Sequence, residues 1–209
     1  MKPLPRPSVG NQRRLTRGMQ FVLLGIVVYG IVYGEPKAIA NGGISLLITA
    51  VPALLERNYR IPLDPWLGLW ITVAVFLHTM GSAGLYARIE WWDHLTHAMS
   101  ASLVAGVGYT FARAVDLHSD QIHLPKRFFF VYVLVVVLSF GVLWELFEFG
   151  LDIIADETGI EMPLAQHGLD DTVRDLMFNS LGALLVAAFG QVHLSGVAER
   201  ILAERFAES

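Results

Sequence analysis

The chain contains no cysteine and few charged residues. The absence of cysteine from its 209 residues excludes disulfide bonds, thiolate metal ligands and cysteine nucleophiles. Charged residues make up 16% of the chain, whereas a soluble domain has about 25%. The net charge is −4, and there is no long basic tract that would favour binding of nucleic acid. A chain with so little charge is not expected to cover its whole surface with polar groups.

Hydrophobic residues are abundant instead, and they are grouped into long runs. They make up 54% of the chain. A helix of about 20 residues crosses the ~30 Å of hydrocarbon in a bilayer. The sequence therefore predicts an all-α, polytopic membrane protein with about six transmembrane helices in one bundle. The predicted spans are residues 19–33, 38–55, 66–85, 91–112, 128–149 and 175–192.

The predicted bundle, residues 19–194, is flanked by two short segments. Residues 1–18 form a basic tail, and residues 195–209 form an amphipathic helix of the kind that lies on a membrane surface. Lysine and arginine collect in the tail, after the second span, between the fourth and fifth spans, and at the C-terminus. The positive-inside rule then places both termini in the cytoplasm and predicts a plasma (inner) membrane protein.

With this topology, the conspicuous polar residues of the last four spans all fall at the outer membrane face. Spacing within each helix supports a common focus, because residues four apart share one helix face. Such pairs or stripes occur in three of the spans. The residues concerned are His78, Asp93, His94, His97, Glu145, Glu148, Asp152, Asp171, Asp175 and Asn179.

Six of these residues are carboxylates, and Arg174 is the one fixed cation among them. An ionised side chain at the bilayer centre costs about 2.5–3.5 kcal/mol on the insertion scale, and crowded like charges repel one another. A metal ion would offset both effects. Histidine with aspartate or glutamate suits Zn, Mn, Fe or Ni, and an all-oxygen subset suits Mg or Ca; one ion or two are compatible with the residues. The predicted metal ligands are His78, Asp93, His97, Glu145, Glu148, Asp152, Asp171 and Asp175.

Simpler explanations exist for several of these residues. Asp93 and Asp171 fit helix N-caps, where acidic side chains are favourable. A histidine inside an apolar run, such as His78 or His97, is often a hydrogen-bond bridge between helices. Glu145, Glu148 and Asp152 resist such an explanation, because they lie at the C-terminal end of the predicted fifth helix, where the helix dipole disfavours negative charge.

Three motifs carry a family resemblance. The chain resembles the uncharacterised bacterial and archaeal inner-membrane family typified by YjdF, and a shorter part of it is similar to VanZ-like membrane proteins. The resemblance implies a six-span helical fold and a set of polar motifs, and it implies no particular reaction. Its motifs are Trp92-Asp93-xxx-His97, Trp144-Glu145-xx-Glu148 and Asp170-Asp171-Thr172-xx-Asp175-xxx-Asn179-xx-Gly182.

The leading functional hypothesis is a metal-dependent, hydrolase-like membrane enzyme acting on a lipid-linked or envelope substrate at the outer leaflet. Glu148 or Asp171 would serve as general base and Arg174 would stabilise anionic charge. Its partners would be membrane lipid and a small lipid-linked molecule, with the oligomeric state left open. Two alternatives remain, a proton- or cation-coupled transporter that uses the acids as a relay and a non-catalytic subunit of a membrane complex.

Overall fold

The computed structural model describes residues 7–59, 64–119, 121–159 and 168–193. This part of the chain contains six α-helices and one π-helical turn. No strand occurs within these residues, which confirms the predicted all-α fold. The predicted helix over residues 195–209 lies outside them. The helices are α1 (Val9–Tyr33), α2 (Pro36–Tyr59), α3 (Pro65–Met80), α4 (Trp91–His118), α5 (Lys126–Thr158) and α6 (Leu169–His193), and the π-helical turn Gly81–Leu85 continues α3.

Four of the helices are long and apolar enough to cross a membrane: α1, α2, α3 with its π-helical turn, and α5. α4 and α6 do not meet the same measure over the described residues. Both carry acidic residues in their first turns. The chain is therefore a helical membrane protein, and the crossing of the bilayer by α4 and α6 stays a prediction.

The two more polar helices form the most extensive helix–helix contact of the fold. Gly182 of α6 lies against the backbone carbonyl of Ala98 in α4, so closely that no side chain would fit between them. α5 packs on both α4 and α6, while α1, α2 and α3 pack together and join the rest through α3 and α4. The core between α4, α5 and α6 is formed by Ala101, Ala105, Tyr109, Ala112, Phe129, Val133, Val137, Ala183 and Val186.

Several helices are longer than predicted, and one difference affects the argument about charge. α5 continues to Thr158, because the more polar residues after Phe149 end the hydrophobic run but are compatible with a helix. Glu145, Glu148 and Asp152 therefore lie inside α5, and the prediction that they occupy the C-terminal end of the helix is wrong. For Glu145 and Glu148 the unfavourable feature is burial instead, since they are only 5% and 9% exposed.

The starts of α6 and α1 and the N-cap of α4 also differ from the prediction. α6 begins at Leu169, so that Asp170 and Asp171 lie in its first turn. α4 has Glu90 at its N-cap position, and Asp93 lies in the first turn without capping the helix. α1 begins at Val9, and the second half of the predicted basic tail is therefore helical.

We expect Gly182→Ala to lower the stability of the protein. The added methyl group would meet the Ala98 carbonyl oxygen, and because this contact is with backbone, relief requires the two helices to separate. Overpacking of this kind costs about 1–3 kcal/mol. The measurement is the thermal unfolding midpoint of detergent-purified protein.

Gly25→Ala is the matched control, because a methyl group at Gly25 in α1 would meet no atom within 4 Å. The control is expected to be neutral or slightly stabilising, since alanine favours helix more than glycine. Equal midpoints for the two variants would contradict the close packing of α4 on α6.

Candidate functional site

Three potential metal ligands meet where α4 packs against α6. The Nε2 atom of His97 lies 3.7 Å from Oδ1 of Asp93, one turn earlier in α4, and 3.6 Å from Oδ1 of Asp175 in α6. One ligand atom from each of the three residues lies within 4.8 Å of the others. We call Asp93, His97 and Asp175 the DHD cluster. The predicted i, i+4 pair of α4 and the predicted stripe of α6 therefore face each other.

The DHD cluster has the donor chemistry of a divalent metal site. Asp175 is only 3% exposed, and its Oδ1 atom has no hydrogen-bond donor. A buried carboxylate oxygen without a donor is unfavourable unless a cation or a proton compensates it. Two carboxylates and one imidazole are borderline-hard ligands that suit Zn, Mn or Fe. Three protein ligands also leave coordination positions open, as catalytic metal sites do.

A second pair of buried acids lies on α5, next to the DHD cluster. Oε2 of Glu145 accepts a hydrogen bond of 2.8 Å from the Thr172 hydroxyl of α6, while its Oε1 is buried without a donor. Oε1 of Glu148 accepts a 2.9 Å hydrogen bond from the indole Nε1 of Trp144. Thr172 lies one turn before Asp175 in α6, and the Trp144 ring contacts that of His78. The two acids are therefore held beside the DHD cluster without being among its three ligands.

His78 has the bridging role that the simpler explanation gave it. Its Nδ1 atom lies 2.9 Å from the hydroxyl of Tyr86, which is also 3.3 Å from the hydroxyl of Thr96 in α4. The His78 ring further contacts that of Trp144, with centroids 6.4 Å apart. His78 thus links α3 to α4 and α5 beside the DHD cluster and is not one of its three ligands.

The π-helical turn after α3 brings Tyr86 back to His78. Gly84 has a φ of 124°, which favours glycine because a Cβ atom would be strained there. The Tyr86 ring then packs on Gly81, where a side chain would clash with it. π-helical turns are frequent at functional sites. Sequence reasoning missed Tyr86 and Thr96, and the one available signal was the pair of glycines just before the tyrosine.

The remaining predicted residues lie outside the DHD cluster. His94 stacks on Phe178, with ring centroids 4.2 Å apart, and Arg174 is exposed. Asp152 lies one turn beyond Glu148, and Asp171 is half-buried in the first turn of α6. Asn179 is buried and lies opposite Gly141 of α5. Trp144 and Thr172 donate the hydrogen bonds that hold the two glutamates of α5.

The fold and these contacts define a helical membrane protein with buried acids and a histidine at one end of its bundle. The chain belongs to the family described as "Predicted membrane protein (DUF2238)", whose model matches residues 15–196. An uncharacterised protein of Thermotoga maritima is 31% identical over 168 residues, covering 79% of this chain and 83% of that protein. No solved structure matches the chain.

We expect Thr172→Val to destabilise the protein by about 1–3 kcal/mol, because Glu145 would then be buried without the donor at its Oε2 atom. Thr172→Ser keeps a hydroxyl at the same place and is the matched control. The measurement is thermal unfolding of both variants at neutral pH. If valine and serine gave the same midpoint, the hydrogen bond to Glu145 would contribute nothing to the fold.

Proposed function

We propose that the protein is a metal-dependent, hydrolase-like enzyme that acts on a lipid-linked or envelope substrate at the outer leaflet of the plasma membrane. The observation that carries the proposal is the DHD cluster, in which His97 lies 3.7 Å and 3.6 Å from two carboxylates that come from different helices. Burial of Asp175 makes an accidental surface cluster a poor explanation. We also propose that, within its family, the chain is of the YjdF type, and that a shorter part of it is similar to VanZ-like membrane proteins.

Asp93, His97 and Asp175 are the residues that would hold the ion, which we expect to be Zn, Mn or Fe. A second ion would need further ligands, and Glu145 and Asp171 are acidic candidates. Glu145 accepts a hydrogen bond from Thr172 of α6, and Asp171 lies one turn before Asp175 in α6. When bound, a divalent ion supplies Lewis acidity toward a carbonyl or phosphoryl oxygen. The site's position near the polar end of the helices gives it access to the head of a membrane substrate.

Glu148 is the residue that we assign as general base. It is 9% exposed, and the Trp144 indole holds it by a hydrogen bond to Oε1, which leaves Oε2 to take a proton from water. Asp171 is the alternative base, because it lies at the accessible N-terminal end of α6. Arg174 is exposed on the same helix and would contact an anionic part of the substrate outside the DHD cluster.

The packing below the DHD cluster favours an enzyme over a transporter. A proton or cation relay needs polar groups or water along its whole path. The helices α4, α5 and α6 instead continue from the DHD cluster into a core of alanine, valine and aromatic side chains, in which Ala105, Val133 and Ala183 are completely buried. Among the described residues, this core offers no continuation of the acidic side chains toward the other membrane face.

The test of the proposal is the metal content of the purified protein. We expect one or two divalent ions per chain in the wild type and at least a tenfold loss in His97→Ala, which removes the central ligand. His94→Ala is the matched control, because His94 belongs to the same helix but stacks on Phe178. The measurement is elemental analysis of protein purified in detergent without added chelator.

The outcomes separate the hypotheses. Absence of a stoichiometric ion from the wild type, or equal metal content in the two histidine variants, would contradict the metal site. Proton or cation flux in liposomes that is lost in Glu148→Gln would favour the transporter in its place.

The orientation of the chain can be tested with single cysteines, because the natural sequence has none. Arg88 precedes α4 and Gln121 follows it, and both are exposed. We expect a membrane-impermeant maleimide to label Arg88→Cys in intact cells and Gln121→Cys only after the membrane is opened. The reverse pattern would place the DHD cluster at the cytoplasmic face.

A further inference from the structure

An apolar groove of about 490 Å³ leads away from the DHD cluster. α2 and α3 form one wall and α5 forms the other, with α4 at the base. Neither α2 nor α3 makes a close backbone contact with α5 among the described residues, so the groove opens between them on the side of the bundle. Its volume lies within the range of about 300–1,000 Å³ that is usual for small-molecule sites.

The lining of the groove changes from polar to apolar along the helix axes. His78, Thr96, His97 and Asn179 lie at one end, and Ala74, Val104 and Val137 lie at the other. From Thr96 to Val104 the base of the groove extends over eight residues of α4, or about 12 Å at 1.5 Å per residue. His97 belongs both to the polar end of the groove and to the DHD cluster.

The side walls are hydrophobic and open toward the surroundings of the bundle. Ile44 of α2 is 56% exposed and Phe140 of α5 is 58% exposed, and both line the groove. Water in the apolar part would lack the two to four polar partners that ordered water requires. In a bilayer, a groove of this composition that opens sideways is filled by hydrocarbon.

We propose that this groove binds one hydrocarbon chain of an amphiphile and holds its anionic head at His97, beside the DHD cluster. The chain would lie against Val104 and Val137, and its head would be near the ligands of the metal ion. The position of the head rests on the proposed function, whereas binding of the chain rests on the groove alone. The occupant is a single-chain or lipid-linked amphiphile. Because the carboxylates of Asp93 and Asp175 flank His97, an anionic head such as that of an alkyl phosphate would be held there only through the metal ion of the proposed function.

The test uses hexadecyl phosphate as the probe and native mass spectrometry of the protein in a sterol-based detergent, whose rigid body does not imitate an alkyl chain. Ile48→Trp is expected to weaken binding at least tenfold, because Ile48 lines the groove and a larger ring would fill it. Leu47→Trp is the matched control. Leu47 is the neighbouring residue of α2, is 71% exposed and does not line the groove. We expect Leu47→Trp to bind hexadecyl phosphate with wild-type affinity.

Two further comparisons separate the chain from the head. Removal of metal with a chelator should weaken binding of hexadecyl phosphate and leave hexadecanol unaffected. Equal binding by the wild type and both tryptophan variants, or no saturable binding by the wild type, would overturn the proposal for the chain. If the chelator changed the binding of neither probe, the proposed position of the head at His97 would be wrong. A third outcome separates the two proposals. If the wild type contained no metal but bound hexadecanol, and Ile48→Trp weakened that binding, the proposed function would be wrong and the proposal that the groove binds a hydrocarbon chain would stand.

Discussion

The backbone contact between α4 and α6 is the constraint on which the site depends. Gly182 has no side chain, and α6 therefore lies directly against the Ala98 carbonyl of α4. Asp175 is two turns earlier in α6 than Gly182, and His97 is next to Ala98. The close approach of the backbones thus brings an acid of one helix within 3.6 Å of an imidazole of the other. Larger residues at this contact would move the helix axes apart, within the usual range of about 8–10 Å, and would lengthen the distance between Asp175 and His97.

This close packing buries acids in a protein that has few other charges. Glu145, Glu148 and Asp175 are all at most 9% exposed, and burial without compensation would be unfavourable for each. Neutral donors supply part of the compensation, from the Thr172 hydroxyl and the Trp144 indole. One oxygen each of Glu145 and Asp175 has no donor. A bound cation would compensate the group as a whole, and this is the physical reason to connect the acids with a metal ion instead of treating them one by one.

The sequence predicted the helices and part of the site because both depend on local spacing. Asp93 and His97 share a helix face by their four-residue separation, and the stripe through Asp175 indicated the facing surface of α6. The end of α5 was not predictable from hydropathy, since the change from apolar to polar residues after Phe149 ends the hydrophobic run but not the helix. The position of Tyr86 depends on the positive φ of Gly84 and on the contact of the tyrosine ring with Gly81. Neither is visible as a periodic pattern.

The groove exists because the backbones of α3 and α5 do not pack against each other in the described part of the chain. The spacing of residues within a single helix cannot predict such a gap between two helices. α4 contacts both α3 and α5, but the backbones of α3 and α5 remain apart over the described residues. The rings of His78 and Trp144 meet across this space and line the groove together with its hydrophobic walls. Polar chemistry and an apolar binding surface are thus adjacent in one structure. An enzyme that acts on membrane amphiphiles requires this adjacency, because the reacting head has to reach polar groups while its chain stays in hydrocarbon. A polar cluster that served only to stabilise helix packing would not explain why the groove ends at His97.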